Sequence, residues 1–115
     1  MLVKHNVDIK DLDSMHEALL AVIGFWMTYC FDHKLPCVIT SMHREGDKGP
    51  HGSTPTRAFD FRVHGWSHFH RRQFEHKLKD KYGHLGAYSR SDLRQRIIIY
   101  HGEGDNIHGH CQIHP

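Results

Sequence analysis

Asp60 stands inside Ala58-Phe59-Asp60-Phe61-Arg62-Val63, an alternating run that reads as a β-strand. Aspartate is disfavoured in strands, and a buried carboxylate is costly unless it is paired or bound to a metal. His51 lies upstream in a loop rich in glycine and proline. The C-terminal run Ile107-His108-Gly109-His110-Cys111-Gln112-Ile113-His114 repeats imidazoles at even spacing. A zinc ion shared by Asp60, His51 and one histidine of that run would account for the aspartate. Three ligands from His, Asp or Glu with one open position is the arrangement zinc uses for hydrolysis. The competing reading is a structural ion pair of Asp60 with Arg44 or Arg62.

Elements must position these groups. In a final strand over 107–114, side chains alternate between faces. His108, His110, Gln112 and His114 then share one face, while Ile107, Gly109, Cys111 and Ile113 turn to the core. Residues 37–41 and 58–63 read as core strands, joined by a long loop over 42–56. A structureless loop of that length is more often functional than not. A helix is expected from Asp11 to about His33, capped by Asp11, Asp13 or Ser14. Met15, Leu19, Val22, Ile23, Trp26, Tyr29 and Cys30 recur along it at three- and four-residue steps.

Ser67 is the expected N-cap of a second, basic amphipathic helix that ends at Gly83, with Phe69, Phe74 and Leu78 on its apolar stripe. Residues 83–95 read as loop and 96–100 as a central strand. Residues 1–10 form a short edge strand or an ordered tail. The pattern predicts an α+β fold with an antiparallel sheet and helices packed on one side.

The 115 residues make a single domain, 1–115. Histidine is the outlier at 14 residues, and net charge is only +2 with histidines neutral, so no nucleic-acid partner is called for. Three cysteines without CxxC spacing suit reduced thiols better than a disulfide framework. MLVKHNVDIKD lacks the apolar core of a signal peptide, and the apolar run 18–29 is too short to span a bilayer. These features predict a protein made in a cytoplasm, and a monomer is expected.

Three segments together carry a resemblance. Thr40-Ser41-Met42-His43-Arg44, His51 with Ala58-Phe59-Asp60-Phe61-Arg62, and His108-Gly109-His110-Cys111-Gln112-Ile113 resemble the zinc D-alanyl-D-alanine carboxypeptidase family. That family includes D,D-dipeptidases and phage L-alanyl-D-glutamate endolysins, with the hedgehog signalling domain as a fold relative. The resemblance covers roughly residues 37–115.

It implies a hedgehog/DD-peptidase-like fold, Zn2+ as cofactor, and His51, Asp60 and His110 as metal ligands. Arg44 would bind the substrate carboxylate or carbonyl, a planar fork suited to bidentate contact. The implied substrate is a peptidoglycan stem peptide. The implied setting is a phage-encoded enzyme that acts on the cell wall after release, or as part of a virion.

Two departures stand out. The spacing from His51 to Asp60 is wider than is usual in the family, so Ser53-Thr54-Pro55-Thr56 is expected to bulge outward. The family's acid precedes its last ligand by a few residues, which leaves two registers. In the preferred one His110 ligates, His108 stabilises the transition state, and Asp105 or Glu103 is the base. In the other, Asp105 is the base and His108 the ligand. Two further function classes stand beside the peptidase. One is a zinc-binding, non-catalytic interaction or virion domain on the same scaffold. The other is a nucleic-acid surface on the basic helix, which predicts a steep salt dependence.

Overall fold

Leu2–Val3 (β1) lies beside Val38–Ser41 (β2), and the chain travels between them through helix α1, Glu17–His33. A crossover through a helix returns the chain in the same direction, so β1 and β2 pair in parallel. The rest follows as β3 (Ala58–Arg62), α2 (His68–Tyr82), β4 (Ala87–Tyr88), β5 (Gln95–Arg96), β6 (Ile98–His101) and β7 (His108–Gln112). The computed structural model describes residues 1–4, 7–43, 46–88 and 92–115. Arg44, the expected carboxylate binder, lies outside the described residues.

The main sheet has the order β1-β2-β3-β7-β6, and β4 pairs with β5 separately. The fold is therefore α+β, but the sheet is mixed rather than antiparallel. The correction comes from the parallel edge pair that the helical crossover dictates.

Phe59 and Phe61 of β3, Cys111 of β7 and Ile98 of β6 face the helices and are buried. Trp26 of α1 packs on both phenylalanines, and Phe74 of α2 meets Phe61 edge-on. The expected apolar face of α1 is buried as a whole from Met15 to Cys30. The helix starts later than expected, however. Residues Ile9–Ser14 form a 3-10 segment, and His16 caps α1 by accepting the Ala18 N–H at its Nδ1. Met15 bridges Thr56, and the His16 N–H donates to the Thr56 carbonyl. Those tertiary bonds take the backbone groups that an earlier helical turn would have used.

Ser67 caps α2 as expected, and Phe74 and Leu78 are buried. Phe69 is not on the packed stripe; it is 64% exposed. Part of the expected loop 83–95 is structured, because Gln95 donates to the His84 and Gly86 carbonyls and steadies the β4–β5 pair. No helix among the described residues is long and apolar enough to cross a membrane.

Candidate metal centre

β3 and β7 pair along their full lengths, with Asp60 opposite His110 and Arg62 opposite His108. Alternation puts all four on the sheet face turned away from the helices. Gly109 makes this pairing possible, since a Cβ there would lie 2.2 Å from the Phe61 ring. The imidazoles of β7 can thus face outward while a phenylalanine closes the core directly beneath them.

His51 arrives from the loop between β2 and β3, on the short 3-10 turn Pro50–Gly52. A Cβ on Gly52 would meet the Asp47 carbonyl, so the chain can fold back this tightly only with glycine there. The outward bulge expected of residues 53–56 holds for Thr54 and Pro55, which are exposed; Thr56 is buried against Met15.

These elements bring His51, Asp60 and His110 together, with ligand atoms all within 4.8 Å of one another. Asp60 Oδ1 lies 2.7 Å from His110 Nδ1 and 3.2 Å from His51 Nε2. His51 is fully buried and Asp60 nearly so. Among the described residues, no ion pair joins Asp60 to Arg62; its carboxylate faces the two imidazoles.

The outer nitrogens of the two rings decide what their inner nitrogens can do. His51 Nδ1 lies 2.5 Å from the Met42 carbonyl oxygen, which can only accept, so Nδ1 carries the proton. Gln112 Nε2 donates to the Arg96 carbonyl, which turns Oε1 toward His110 Nε2 at 3.0 Å. His110 therefore carries its proton on Nε2. In the neutral ring the inner nitrogen is bare in both cases, and both bare nitrogens point at a carboxylate oxygen.

Three lone-pair donors converging on one point repel one another unless a cation lies among them. A metal ion satisfies all three at once, and ring N–H groups held by a carbonyl and an amide oxygen are the usual support of histidine ligands. Burial alone pushes the Asp60 carboxyl up. When the two rings are protonated, their inner N–H groups donate to it and their charges face it; the hydrogen bonds of His110 and His51, and then those charges, outweigh burial and hold the group below the usual carboxylate range. The aspartate is thus ionised and ready to coordinate at neutral pH.

The expected catalytic residues lie beside this triad. A cleft of about 360 Å³ is lined by Asp60, His108, Asp105, Arg62 and Lys4. Asp105 reaches it from the Gly104–Asn106 turn that feeds β7. Glu103, the alternative base, does not line it. His108 Nδ1 lies 3.3 Å from the Asn106 carbonyl oxygen. His110, not His108, is in the triad, which favours the first of the two registers. His114 is exposed at the chain end, away from the cluster.

Three supporting groups have no role assigned from the sequence, although its alternation places Gln112 on the histidine face of the final strand. Gln112 and the Met42 carbonyl set the tautomers. His101, at the end of β6, stands opposite His108, and its ring centroid lies 5.7 Å from that of His108 and 5.5 Å from that of His110. Burial, then the neighbouring His110 and His108, make it less basic than an ordinary histidine. The even spacing of β7 pointed to its own imidazoles, but finding His101 required the β6–β7 register.

No protein-family model matches the chain, and neither a search of curated proteins nor one of solved structures found a match.

Proposed function

We propose that this chain is a zinc-dependent peptidase that hydrolyses a peptide bond in peptidoglycan stem peptides, as a carboxypeptidase or an L-alanyl-D-glutamate endopeptidase. The observation that carries the metal part is the convergence of His51 Nε2 and His110 Nδ1 on Asp60 Oδ1. Zinc–nitrogen bonds of about 2.0–2.1 Å imply a tetrahedral ligand spacing of about 3.3 Å. The His51–Asp60 separation of 3.2 Å already meets that value, and the His110–Asp60 separation of 2.7 Å needs a small widening. The choice of zinc and of a peptide substrate rests on the sequence resemblance and on the two-histidine, one-carboxylate donor set.

A bound zinc would supply Lewis acidity and a water of lowered pKa. His51, Asp60 and His110 would hold it. Asp105, in the same cleft, would take a proton from the attacking water and return it to the leaving amine. His108 holds Nδ1 toward the Asn106 carbonyl, so it donates to a developing oxyanion from Nε2, and only as the imidazolium. Lys4 and Arg62 line the cleft beside Asp60 and Asp105, and either could pair with a substrate carboxylate, the group also assigned to Arg44.

The test is hydrolysis of a purified muropeptide, lost on chelation and restored by zinc, with metal content measured on the same samples. Stoichiometric zinc without turnover would replace the peptidase by a non-catalytic metal-binding domain. Absence of bound metal would remove both readings.

A further inference from the structure

The chain has three cysteines and four methionines, and two of each line a single cavity of about 680 Å³. That cavity shares no lining residue with the cleft at Asp60. Two local geometries place these four residues around one cavity. Met27 and Cys30 are three residues apart on α1, hence on one helix face a turn apart. Leu2 pairs with Val38 in parallel register, which sets Met1 beside Cys37 at the adjoining position. Phe31 and Asp32 at the end of α1, and Lys34 and Leu35 in the turn after it, complete the lining.

The chemistry of this lining is unlike that of the histidine centre. Cys30 is buried, its Sγ 3.7 Å from the Pro36 carbonyl oxygen, and Cys37 is half-buried. Burial, and then the neighbouring Cys37 thiol, push the Cys30 thiol well above its ordinary value. Two thiols with two thioethers form a soft donor set. Thioethers are poor ligands for zinc and other harder divalent ions but good ones for Cu(I).

We infer that the sulfur-lined cavity of Met1, Met27, Cys30 and Cys37 is a binding site for a soft, thiophilic monovalent cation, with Cu(I) as its chemical type. Binding forms metal–sulfur bonds to both cysteines and releases one proton from each thiol to solvent; no electron is transferred. The thioethers of Met27 and Met1 complete the coordination as neutral donors.

The test uses the whole, reduced chain under anaerobic conditions. Cu(I) is supplied as its coloured bicinchoninate complex, and loss of colour reports transfer to the protein. Wild type is expected to withdraw one equivalent, and so are Asp60→Ala and Cys111→Ser, which leave the cavity intact. Cys37→Ser is expected to hold copper at least tenfold more weakly, and Met27→Leu severalfold more weakly. Cys37 and Met27 are partly exposed, so these variants read the site without opening the core. The inference is overturned if wild type withdraws no copper or if Cys37→Ser matches wild type. It is also overturned if Asp60→Ala loses the equivalent, since the ion would then lie in the histidine centre.

Discussion

Removing the Gln112 amide is expected to weaken metal binding although Gln112 touches no metal. Its Oε1 accepts the His110 Nε2–H at 3.0 Å, which leaves Nδ1 bare toward Asp60 Oδ1 at 2.7 Å. Without that acceptor, His110 can move its proton to Nδ1 and donate it to the carboxylate. A hydrogen bond to a charged group is worth about 1.5–3 kcal/mol. The tautomer able to ligate then becomes the minor one by that margin, and apparent affinity falls with its population. At about 1.4 kcal/mol per tenfold, the loss is roughly 10- to 100-fold.

Gln112→Leu tests this, because it keeps bulk and removes the acceptor. Gln112→Glu is the contrast: a carboxylate still accepts from Nε2, so affinity is expected to stay within a few-fold of wild type. Both variants lose the bond to the Arg96 carbonyl, so a change in stability alone affects them alike. The assay is zinc competition against a chromophoric chelator at neutral pH, with folding checked by circular dichroism. Equal affinities for Gln112→Leu and wild type would refute the tautomer argument.

Further outcomes follow from the same geometry. Asp60→Ala, His51→Ala and His110→Ala are each expected to abolish stoichiometric zinc in elemental analysis, whereas His108→Ala keeps it and loses turnover; zinc retained in all three would dissolve the site. Gly109→Ala drives a Cβ into the Phe61 ring, an overpacking expected to cost about 1–3 kcal/mol or more, read as a lower midpoint in urea unfolding. The folded Asp60 carboxyl titrates below its ordinary value of 3.8. Its contribution to stability is therefore fully present above that value and is lost as pH falls through and below it. Metal-free wild type should lose stability more steeply than Asp60→Asn between pH 5 and pH 3, conditions set by the reference carboxylate pKa of about 3.9; parallel slopes would contradict the assignment. In the native chain a maleimide is expected to label Cys37 alone, because Cys30 and Cys111 are buried; rapid labelling of Cys111 would mean that the β7 core face is open.

Much of the local structure was legible because it depends on neighbours in sequence. The apolar steps from Met15 to Cys30 mark one face of a helix whatever packs on it. The alternation of β7 separates His108 and His110 from Cys111 in any sheet. Ser67 caps α2 through its own side chain, which accepts the His70 N–H. The residue types of the candidate site were legible on the same terms, since an aspartate between two phenylalanines in a strand calls for a partner.

Where the sequence misled, a distant contact outweighed a local preference. Asp11, Asp13 and Ser14 are good caps, yet α1 starts at Glu17 because the Ser14 carbonyl and the His16 N–H bond to Thr56 across the fold. Phe69 fits an apolar stripe by spacing, but the packing of α2 through Phe74 and Leu78 leaves it 64% exposed.

By itself, the sequence determined the α+β make-up, the positions of the helices and core strands, and a histidine–aspartate group whose chemistry is that of a metal ligand set. Only the tertiary structure decided that Asp60 faces His110 rather than His108, that Asp105 rather than Glu103 lines the cleft, and that β1 runs parallel to β2. It also decided which ring nitrogens are bare. These choices depend on strand register and on the direction of the Met42 and Arg96 carbonyls, and backbone groups carry no residue-specific mark in the sequence. A carbonyl becomes part of a site only when the fold points it there.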